Sequence, residues 1–225
     1  MKKVLFALVA MSLLFTACED GNDDFIKLKE VDDVCTMMDD IDFMAYCYEE
    51  FDVNKDGRVS MEEAAAVGKI DPSYDYDIYS IKGIEYFSNI EVLCIYGNHL
   101  SYDINLSFAK KLRRVGLSFN DSKFKDLSKK VSINLGNNTT LEDLYLYDVN
   151  LDDLDLSKFK GLKTIDFRDV AIENINLANS NEIKACIYWT RSSYTPPTLT
   201  IWLKSGQVLD ADIDEDYNYT IKYID

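Results

Sequence analysis

The chain has 225 residues, of which 40 are Asp or Glu and 24 are Lys or Arg, so its formal net charge is -16. A surface of this sign repels phosphate groups, which argues against nucleic acid or an anionic lipid surface as a partner. With a single histidine, and five cysteines that include no Cys-x-x-Cys spacing, a zinc site is not expected either.

The N-terminus has the three parts of a secretory signal in their usual order. Met1–Lys3 is positive, residues 4–15 form an apolar run, and the small pair Thr16-Ala17 precedes Cys18. An apolar run of this length is too short to span a bilayer. Residues 1–17 are therefore predicted to be a signal peptide.

The segment Leu14–Cys18 resembles the lipobox of bacterial lipoproteins, which implies that Cys18 becomes a lipidated first residue and anchors the protein to a membrane. The alternative is an ordinary signal peptide with a chance cysteine. Residues 18–28 begin with the acidic stretch Glu19–Asp24 and are predicted to form a solvated tether. This stretch is similar to the export signal of Bacteroidetes surface lipoproteins, which implies a position on the outer face of the bacterial outer membrane.

Residues 29–80 are predicted to form a helical cap that contains a calcium loop. Apolar positions in Ile41–Phe51 recur at helical spacing, and Ala64–Ala66 favours a second helix. Between them, Asp52–Glu63 matches the EF-hand pattern of alternating oxygen ligands with glycine at the sixth position. The predicted ligands of Ca²⁺ are Asp52, Asn54, Asp56, Arg58 through its carbonyl, Ser60 and Glu63. The alternative is a polar loop with fortuitous acidic residues.

EF-hands normally occur in pairs, and the sequence contains no second loop of this type, so a structural role for calcium is expected rather than sensing. Val59 is the position that usually pairs with a neighbouring loop. In the same cap, Cys35 and Cys47 could form a disulfide in an oxidising compartment, but the sequence does not require one.

Residues 81–190 contain an internal repeat of the form Leu-x-x-Leu-x-Leu. Its copies begin at Ile90, Leu112, Leu141, Leu162 and Ile183, at spacings of 22, 29, 21 and 21 residues. A second apolar pair ends six residues before the second and each later start, as in Ile104-x-Leu106. This is the leucine-rich-repeat pattern, and it predicts a solenoid of about five coils with short parallel strands on its concave face. Residues 191–225 alternate in a strand manner and are predicted to form a β cap at the C-terminal end.

The combination resembles a known family. Ile41-Asp-Phe43, the loop Asp52–Glu63 and the segment Gly83–Phe87 before the first repeat are similar to the EF-hand and leucine-rich-repeat lipoproteins of Bacteroidetes, over roughly residues 38–190. The repeats also resemble internalin-like arrays with a helical N-terminal cap. The resemblance implies recognition of a protein partner.

Strand alternation predicts which side chains face the concave surface. Tyr and Trp, together with Arg, dominate binding hot spots, and these types occur at the outward positions of several copies. The predicted ligand-binding residues are Tyr96, Tyr145, Tyr147, Arg168 and Trp189. The alternative is that the aromatic residues are there only because they favour strands.

Taken together, the sequence predicts a non-catalytic cell-surface lipoprotein that binds an extracellular protein or glycan through its concave face. The alternative is a structural or accessory lipoprotein that docks onto an outer-membrane complex of its own cell. No sequence signature of a nucleophile, phosphate-binding loop or catalytic metal is present, so the chain is not expected to be an enzyme.

Overall fold

The computed structural model describes residues 28–72, 74–96, 99–100, 102–119, 130–180, 182–190 and 195–225. The predicted signal peptide 1–17, the candidate lipidation residue Cys18 and nearly all of the tether 18–28 lie outside the described residues.

A small helical unit forms the N-terminal end. It contains a 3₁₀ helix, Val34–Met37, and two α-helices, α1 (Ile41–Phe51) and α2 (Met61–Ala66). The carboxylate of Asp40 caps α1 by accepting hydrogen bonds from the backbone N–H groups of the second and third helical residues. The predicted helix Ile41–Phe51 is confirmed, and its buried side is formed by Phe43, Tyr46 and Cys47.

The remainder of the described chain is a stack of parallel strands. The strands are β1 (Lys69–Ile70), β2 (Val92–Ile95), β3 (Ile104–Asn105), β4 (Arg114–Ser118), β5 (Ile133–Asn134), β6 (Asp143–Asn150), β7 (Leu154–Asp155), β8 (Thr164–Ala171), β9 (Asn174–Asn176), β10 (Lys184–Tyr188), β11 (Leu199–Lys204), β12 (Asp210–Ile213) and β13 (Tyr219–Ile224).

Successive coils add one strand to each side of the stack. The main sheet has the order β1-β2-β4-β6-β8-β10-β12, and all of its neighbouring strands are parallel. The other side is formed by a pair, β3-β5, and by the sheet β13-β11-β9-β7, which are also parallel. This arrangement is a leucine-rich-repeat solenoid, as the repeat predicts, and the helical unit joins it directly through β1.

The core lies between the two layers of strands and follows the repeat. The apolar residues of each Leu-x-Leu unit in the main sheet are fully buried: Leu93, Ile95, Val115, Leu117, Leu144, Leu146, Ile165 and Phe167. Burying one side chain of this size contributes about 1.5–3 kcal/mol relative to leaving it exposed. Because each coil supplies at least two such residues to the same column, the stack is held together by contacts between neighbouring coils.

Two strands of the main sheet run further than the repeat pattern suggests. β6 and β8 each contain eight residues and continue past an aspartate with positive φ, Asp148 (φ 59°) and Asp169 (φ 54°). After this local twist the chain returns to parallel pairing, with Val149 opposite Val170, and both valines are buried. Valine therefore replaces asparagine at this repeat position because the position lies in the core here.

The fifth coil is shifted by one residue from the sequence prediction. Leu162 is three residues before the core residue Ile165, whereas Ile183 is only two residues before its counterpart Ala185. Because side chains alternate along a strand, one missing residue exchanges the two faces. Ala185, Ile187 and Trp189 point into the core, and the outward positions belong to Lys184, Cys186 and Tyr188.

The C-terminal segment is β structure, as predicted, but it extends the solenoid rather than forming a separate layer over it. β11 and β13 continue the sheet that contains β9, and β12 continues the main sheet next to β10, all in parallel register. Among the described residues, no helix is long enough and apolar enough to cross a membrane.

Candidate functional site

The loop between α1 and α2 folds back on its own acidic side chains. Gly57 (φ 83°) and Lys55 (φ 59°) adopt left-handed backbone conformations that turn the chain sharply. The two carboxylate oxygens of Asp52 accept hydrogen bonds from the backbone N–H groups of Asp56 (3.1 Å) and Gly57 (2.9 Å). The first predicted ligand is thus held by the backbone of the loop itself.

The next two predicted ligands are oriented in the same way. The side-chain oxygen of Asn54 accepts a hydrogen bond from the Asp56 backbone N–H (2.8 Å), and the Asp56 carboxylate accepts one from the Arg58 N–H (3.0 Å). Asp52, Asn54 and Asp56 are alternate residues, and each directs a side-chain oxygen towards a backbone N–H group of the loop. Alternate positions are the spacing that the sequence predicts for these three residues.

Glu63 joins the end of the loop to its beginning. One carboxylate oxygen accepts hydrogen bonds from the backbone N–H groups of Val53 (3.0 Å) and Asn54 (3.3 Å). The other accepts from the backbone N–H (2.9 Å) and hydroxyl (2.8 Å) of Ser60, whose oxygen in turn accepts from the Glu63 N–H and caps α2. These hydrogen bonds, led by that from the Ser60 backbone, lower the pKa of Glu63. The carboxylate is therefore ionised at neutral pH.

The donor set suits a hard cation, because all six predicted ligands offer oxygen. Within the described residues, no three His, Cys, Asp or Glu side chains are grouped so that they could hold a metal ion. The carboxylates of Asp52, Asp56 and Glu63 instead accept the loop's own N–H groups. A calcium ion would depend equally on Asn54, Ser60 and the Arg58 carbonyl.

The loop rests on a segment that the sequence analysis did not single out. Val59 is fully buried, its backbone N–H donates to the Asp33 carboxylate (3.2 Å), and its carbonyl accepts from the Val34 N–H (2.8 Å). Asp33 also accepts a hydrogen bond from the Tyr48 hydroxyl (2.6 Å) on α1. The start of the 3₁₀ helix thus pairs with Val59, the position that in a paired EF-hand usually contacts a neighbouring loop. The available signal was an aspartate directly before a short helical turn.

On the concave face, tyrosine and arginine side chains from several strands of the main sheet pack against each other. The rings of Tyr96 and Tyr147 are 5.6 Å apart between centroids. The guanidinium of Arg168 lies 5.5 Å from the centre of the Tyr147 ring, and that of Arg114 lies 5.9 Å from the centre of the Tyr145 ring. Four of the five predicted ligand-binding residues, Tyr96, Tyr145, Tyr147 and Arg168, are thereby brought together.

These side chains line an open hollow of about 520 Å³. Its walls include Tyr74, Tyr96, Ser118, Tyr145, Tyr147 and Arg168. Burial raises the pKa of Tyr147 to about 12, so its hydroxyl remains a hydrogen-bond donor at physiological pH. Asp166 pairs with Arg168 (3.0 Å) and fixes the guanidinium over the face. The hollow therefore combines aromatic surface with polar groups at its rim.

The ring of Tyr96 crosses over a glycine on the next strand. A β-carbon built at Gly116 would overlap the Tyr96 ring, reaching 2.8 Å from Cε1 and lying closer still to the hydroxyl end. Because Gly116 has no side chain, the Tyr96 ring can lie across it and approach Tyr147. The sequence analysis did not identify this role of Gly116.

The prediction that Trp189 lies on the concave face is wrong. Trp189 is only 5% exposed and packs edge-to-face against Tyr217, with 5.8 Å between ring centroids. The one-residue shift of the fifth coil gives its place on the concave face to Tyr188, opposite Arg168. The Tyr188 hydroxyl donates a hydrogen bond to Asp212 on β12.

Comparison with known proteins gives similarity in solved structures only. No family model and no curated protein matches the chain. An internalin (inlF) from Listeria monocytogenes is 18% identical, with a TM-score of 0.45, and the match covers 88% of this chain and 67% of that one. The functional domain of InlJ from Listeria monocytogenes is 13% identical, with a TM-score of 0.36, over 82% of this chain and 53% of that one. The fold assignment rests on the strand register of this chain itself.

Proposed function

We propose that the protein is a non-catalytic surface protein that binds an extracellular protein or glycan in the tyrosine- and arginine-lined hollow of its concave face. The observation that carries the proposal is the packing of Tyr96, Tyr147 and Arg168 around one open hollow of about 520 Å³. Tyrosine supplies a large contact area with few side-chain rotamers to immobilise, and tyrosine and arginine both dominate binding hot spots.

The geometry of the hollow supports this choice over an incidental strand preference. Strand propensity would place tyrosines on the face without requiring that they meet, whereas Gly116 leaves room for Tyr96 to reach the Tyr147 side. The ion pairs of Arg168 with Asp166 and of Arg114 with Asp143 hold both guanidinium groups against tyrosine rings. A surface that is fixed before binding loses less entropy when a ligand arrives.

The test is a binding screen of the purified protein against extracellular proteins and glycans, followed by variants. Tyr147→Ala and Arg168→Ala should each weaken a captured ligand at least tenfold, while the far-UV circular dichroism spectrum is retained. Tyr219→Ala is the matched control, because Tyr219 is an exposed tyrosine on β13, outside the hollow. Equal affinity of all three variants would contradict binding in the hollow. A partner complex from the same cell that is retained by Tyr147→Ala would favour the accessory role instead.

We also propose that the loop Asp52–Glu63 binds one structural Ca²⁺ ion through Asp52, Asn54, Asp56, the Arg58 carbonyl, Ser60 and Glu63. Support comes from the oxygen-only donor set and from Glu63, whose carboxylate already spans both ends of the loop. The ion would replace backbone N–H groups as the partner of these oxygens. It would therefore bind and order the loop without a large rearrangement of α1 and α2.

Calorimetric titration with calcium tests this site. The wild-type protein should show one saturable site with a dissociation constant of roughly 0.1–1 mM, the range of extracellular structural loops. Glu63→Gln should weaken binding sharply, whereas Glu62→Gln, an exposed neighbour outside the predicted ligand set, should not. Absence of binding heat and of thermal stabilisation by calcium in the wild type would refute the metal site.

The anchoring proposal concerns the N-terminus. We propose that Cys18 is lipidated and holds the protein on the outer face of the outer membrane. In bacteria that export the full chain, Cys18→Ser should move the protein from the membrane fraction to the soluble fraction. Retention of the variant in the membrane would contradict lipidation at this residue.

A further inference from the structure

Two cysteines of the helical unit lie side by side, although they are separated in the sequence. Cys35 belongs to the 3₁₀ helix Val34–Met37 and Cys47 to α1, and both are fully buried. Both side chains belong to the same hydrophobic core, and the 3₁₀ helix packs against α1. The hydrogen bond between the Tyr48 hydroxyl and the Asp33 carboxylate (2.6 Å) joins the same two elements beside the pair.

The other described cysteines do not form such a pair. Cys94 lies on β2 and Cys186 on β10, and strands β4, β6 and β8 separate them in the main sheet. Four strand spacings correspond to roughly 19 Å, which a disulfide cannot bridge. The four described cysteines are free thiols in this structure, and Cys35 and Cys47 are the two that lie on elements packed against each other.

We propose that Cys35 and Cys47 form a disulfide that fixes the 3₁₀ helix to α1. The oxidant is a low-molecular-weight disulfide such as glutathione disulfide. One cysteine thiolate attacks it, forms a mixed disulfide and releases one glutathione thiol. The second cysteine then attacks the mixed disulfide at the protein sulfur, which closes the protein bridge and releases the second glutathione thiol. Two protein thiols are oxidised and one glutathione disulfide is reduced to two thiols.

Burial determines when this reaction takes place. Desolvation, reinforced by the hydrogen bond with Cys35, raises the pKa of the Cys47 thiol, and the thiolate is the reactive species. The bridge is therefore made while the chain folds, before both sulfurs are enclosed. Once made, it is shielded from reductants in the folded protein.

The bridge has a consequence for the loop Asp52–Glu63, and this part rests on the proposed calcium role. Asp33 and Val34, which hold the backbone of Val59, lie within two residues of Cys35. Cys47 lies on α1, the helix that leads into Asp52. A covalent link between these two elements holds the loop's support in place before an ion binds, which should tighten calcium binding.

The experiment refolds the protein from residue 19 onward in a glutathione redox buffer and then analyses it by intact mass and by non-reducing peptide mapping. The wild type and the Cys94→Ala/Cys186→Ala control should both lose the mass of two hydrogen atoms and give a Cys35–Cys47 cross-linked peptide. The Cys35→Ala/Cys47→Ala variant should give neither. A wild type that keeps all its thiols after refolding would overturn the proposal.

The coupling is measured on the wild type alone, so it does not depend on whether a cysteine variant folds. Oxidised and reduced samples are titrated with calcium and melted without it. The oxidised form should bind calcium several-fold more tightly and melt at the higher temperature. Equal affinities and melting temperatures would overturn the stiffening role. A bridge with no calcium binding in either form would leave the disulfide intact and refute the proposed calcium site instead.

Discussion

Gly116 determines where the ring of Tyr96 can lie on the concave face. A methyl group at Gly116 would overlap the ring, so Gly116→Ala should force Tyr96 away from Tyr147 and cost about 1–3 kcal/mol of stability, as for other overpacked sites. The measurement is urea denaturation of both proteins, together with binding of any ligand found for the hollow.

Gly68 provides the control for this substitution. A β-carbon at Gly68 would meet no atom within 4 Å, and its φ lies outside the left-handed region. Gly68→Ala should therefore leave stability within about 1 kcal/mol of the wild type or raise it slightly, because alanine restricts the unfolded chain. If the two alanine variants were equally stable, Tyr96 would not be packed over Gly116 in solution.

Glu63 gives the loop a pH dependence with a definite direction. Its pKa is lowered in the folded protein, chiefly by the Ser60 backbone N–H. The stabilisation is therefore fully present above the unfolded pKa of about 4.3 and is lost as the pH falls through the folded pKa. In calcium-free buffer, the wild type should melt at a higher temperature than Glu63→Gln at neutral pH. This difference should shrink as the pH falls below the unfolded pKa and vanish once the pH is below the folded pKa.

The same melts with Glu62→Gln control for the loss of a negative charge, because Glu62 is exposed on the same short helix. That variant should follow the wild type over the whole pH range. A difference between wild type and Glu63→Gln that persisted at low pH would mean that Glu63 acts through packing and not through its charge.

At the scale of single elements, Asn138 ties two coils together. Its amide nitrogen donates to the carbonyls of Leu112 (2.7 Å) and Ala109 (3.2 Å) in the preceding coil, and its oxygen accepts from the Thr140 backbone N–H (3.0 Å). Asn138 is 3% exposed, so Asn138→Ala would remove these buried hydrogen bonds. Both carbonyls keep a second donor, the Leu112 N–H for Ala109 and the Thr140 hydroxyl for Leu112. We therefore expect a loss of about 0.5–1.5 kcal/mol for each hydrogen bond removed, measured by urea denaturation.

Thr139→Ala is the matched control, because Thr139 is the exposed neighbour of Asn138 in the same turn. It should change stability by less than about 0.5 kcal/mol. If both variants lost the same stability, the turn itself would matter and the hydrogen bonds between coils would not.

The sequence predicts where the helices and strands lie better than it predicts which face of each strand is buried. Helical spacing identifies Ile41–Phe51, and the repeated Leu-x-Leu units identify the strands of the main sheet, because burial on one face leaves a period in the residues. The fifth coil escapes this reasoning, since Cys186 and Tyr188 fit the template as well as Ala185 and Ile187 do. Only the pairing with β8 decides the face, and pairing depends on contacts distant in sequence.

In the candidate sites, contacts between residues close in sequence are predictable, and contacts between distant residues are not. The oxygens of Asp52, Asn54, Asp56 and Glu63 turn into the loop as local spacing predicts, because the contacts involved span at most ten residues. The support of Val59 by Asp33 joins residues 26 positions apart, and the contact between the tilted rings of Tyr96 and Tyr147 joins separate coils. Contacts of this kind leave no local periodicity for sequence analysis to find.

For the whole molecule, the important feature is that the proposed calcium loop and the last coil lie at opposite ends of a one-dimensional stack. The helical unit joins the main sheet at β1, and the order of strands then runs to β12 at the far end. Each coil contacts only its neighbours, so a stabilisation at one end should decay along the stack. Calcium should therefore slow amide hydrogen exchange most in residues 41–70, less in β2, and not measurably in β12 and β13.

Hydrogen exchange with mass spectrometry, with and without calcium, measures this decay directly. Glu63→Gln supplies the control, because its exchange should not respond to calcium in any segment. Equal protection of β13 and α1 by calcium in the wild type would contradict the one-dimensional description and show that the solenoid opens as a single cooperative unit. The expected gradient would instead mean that calcium secures the helical unit and first coil while leaving the far coils free to open independently.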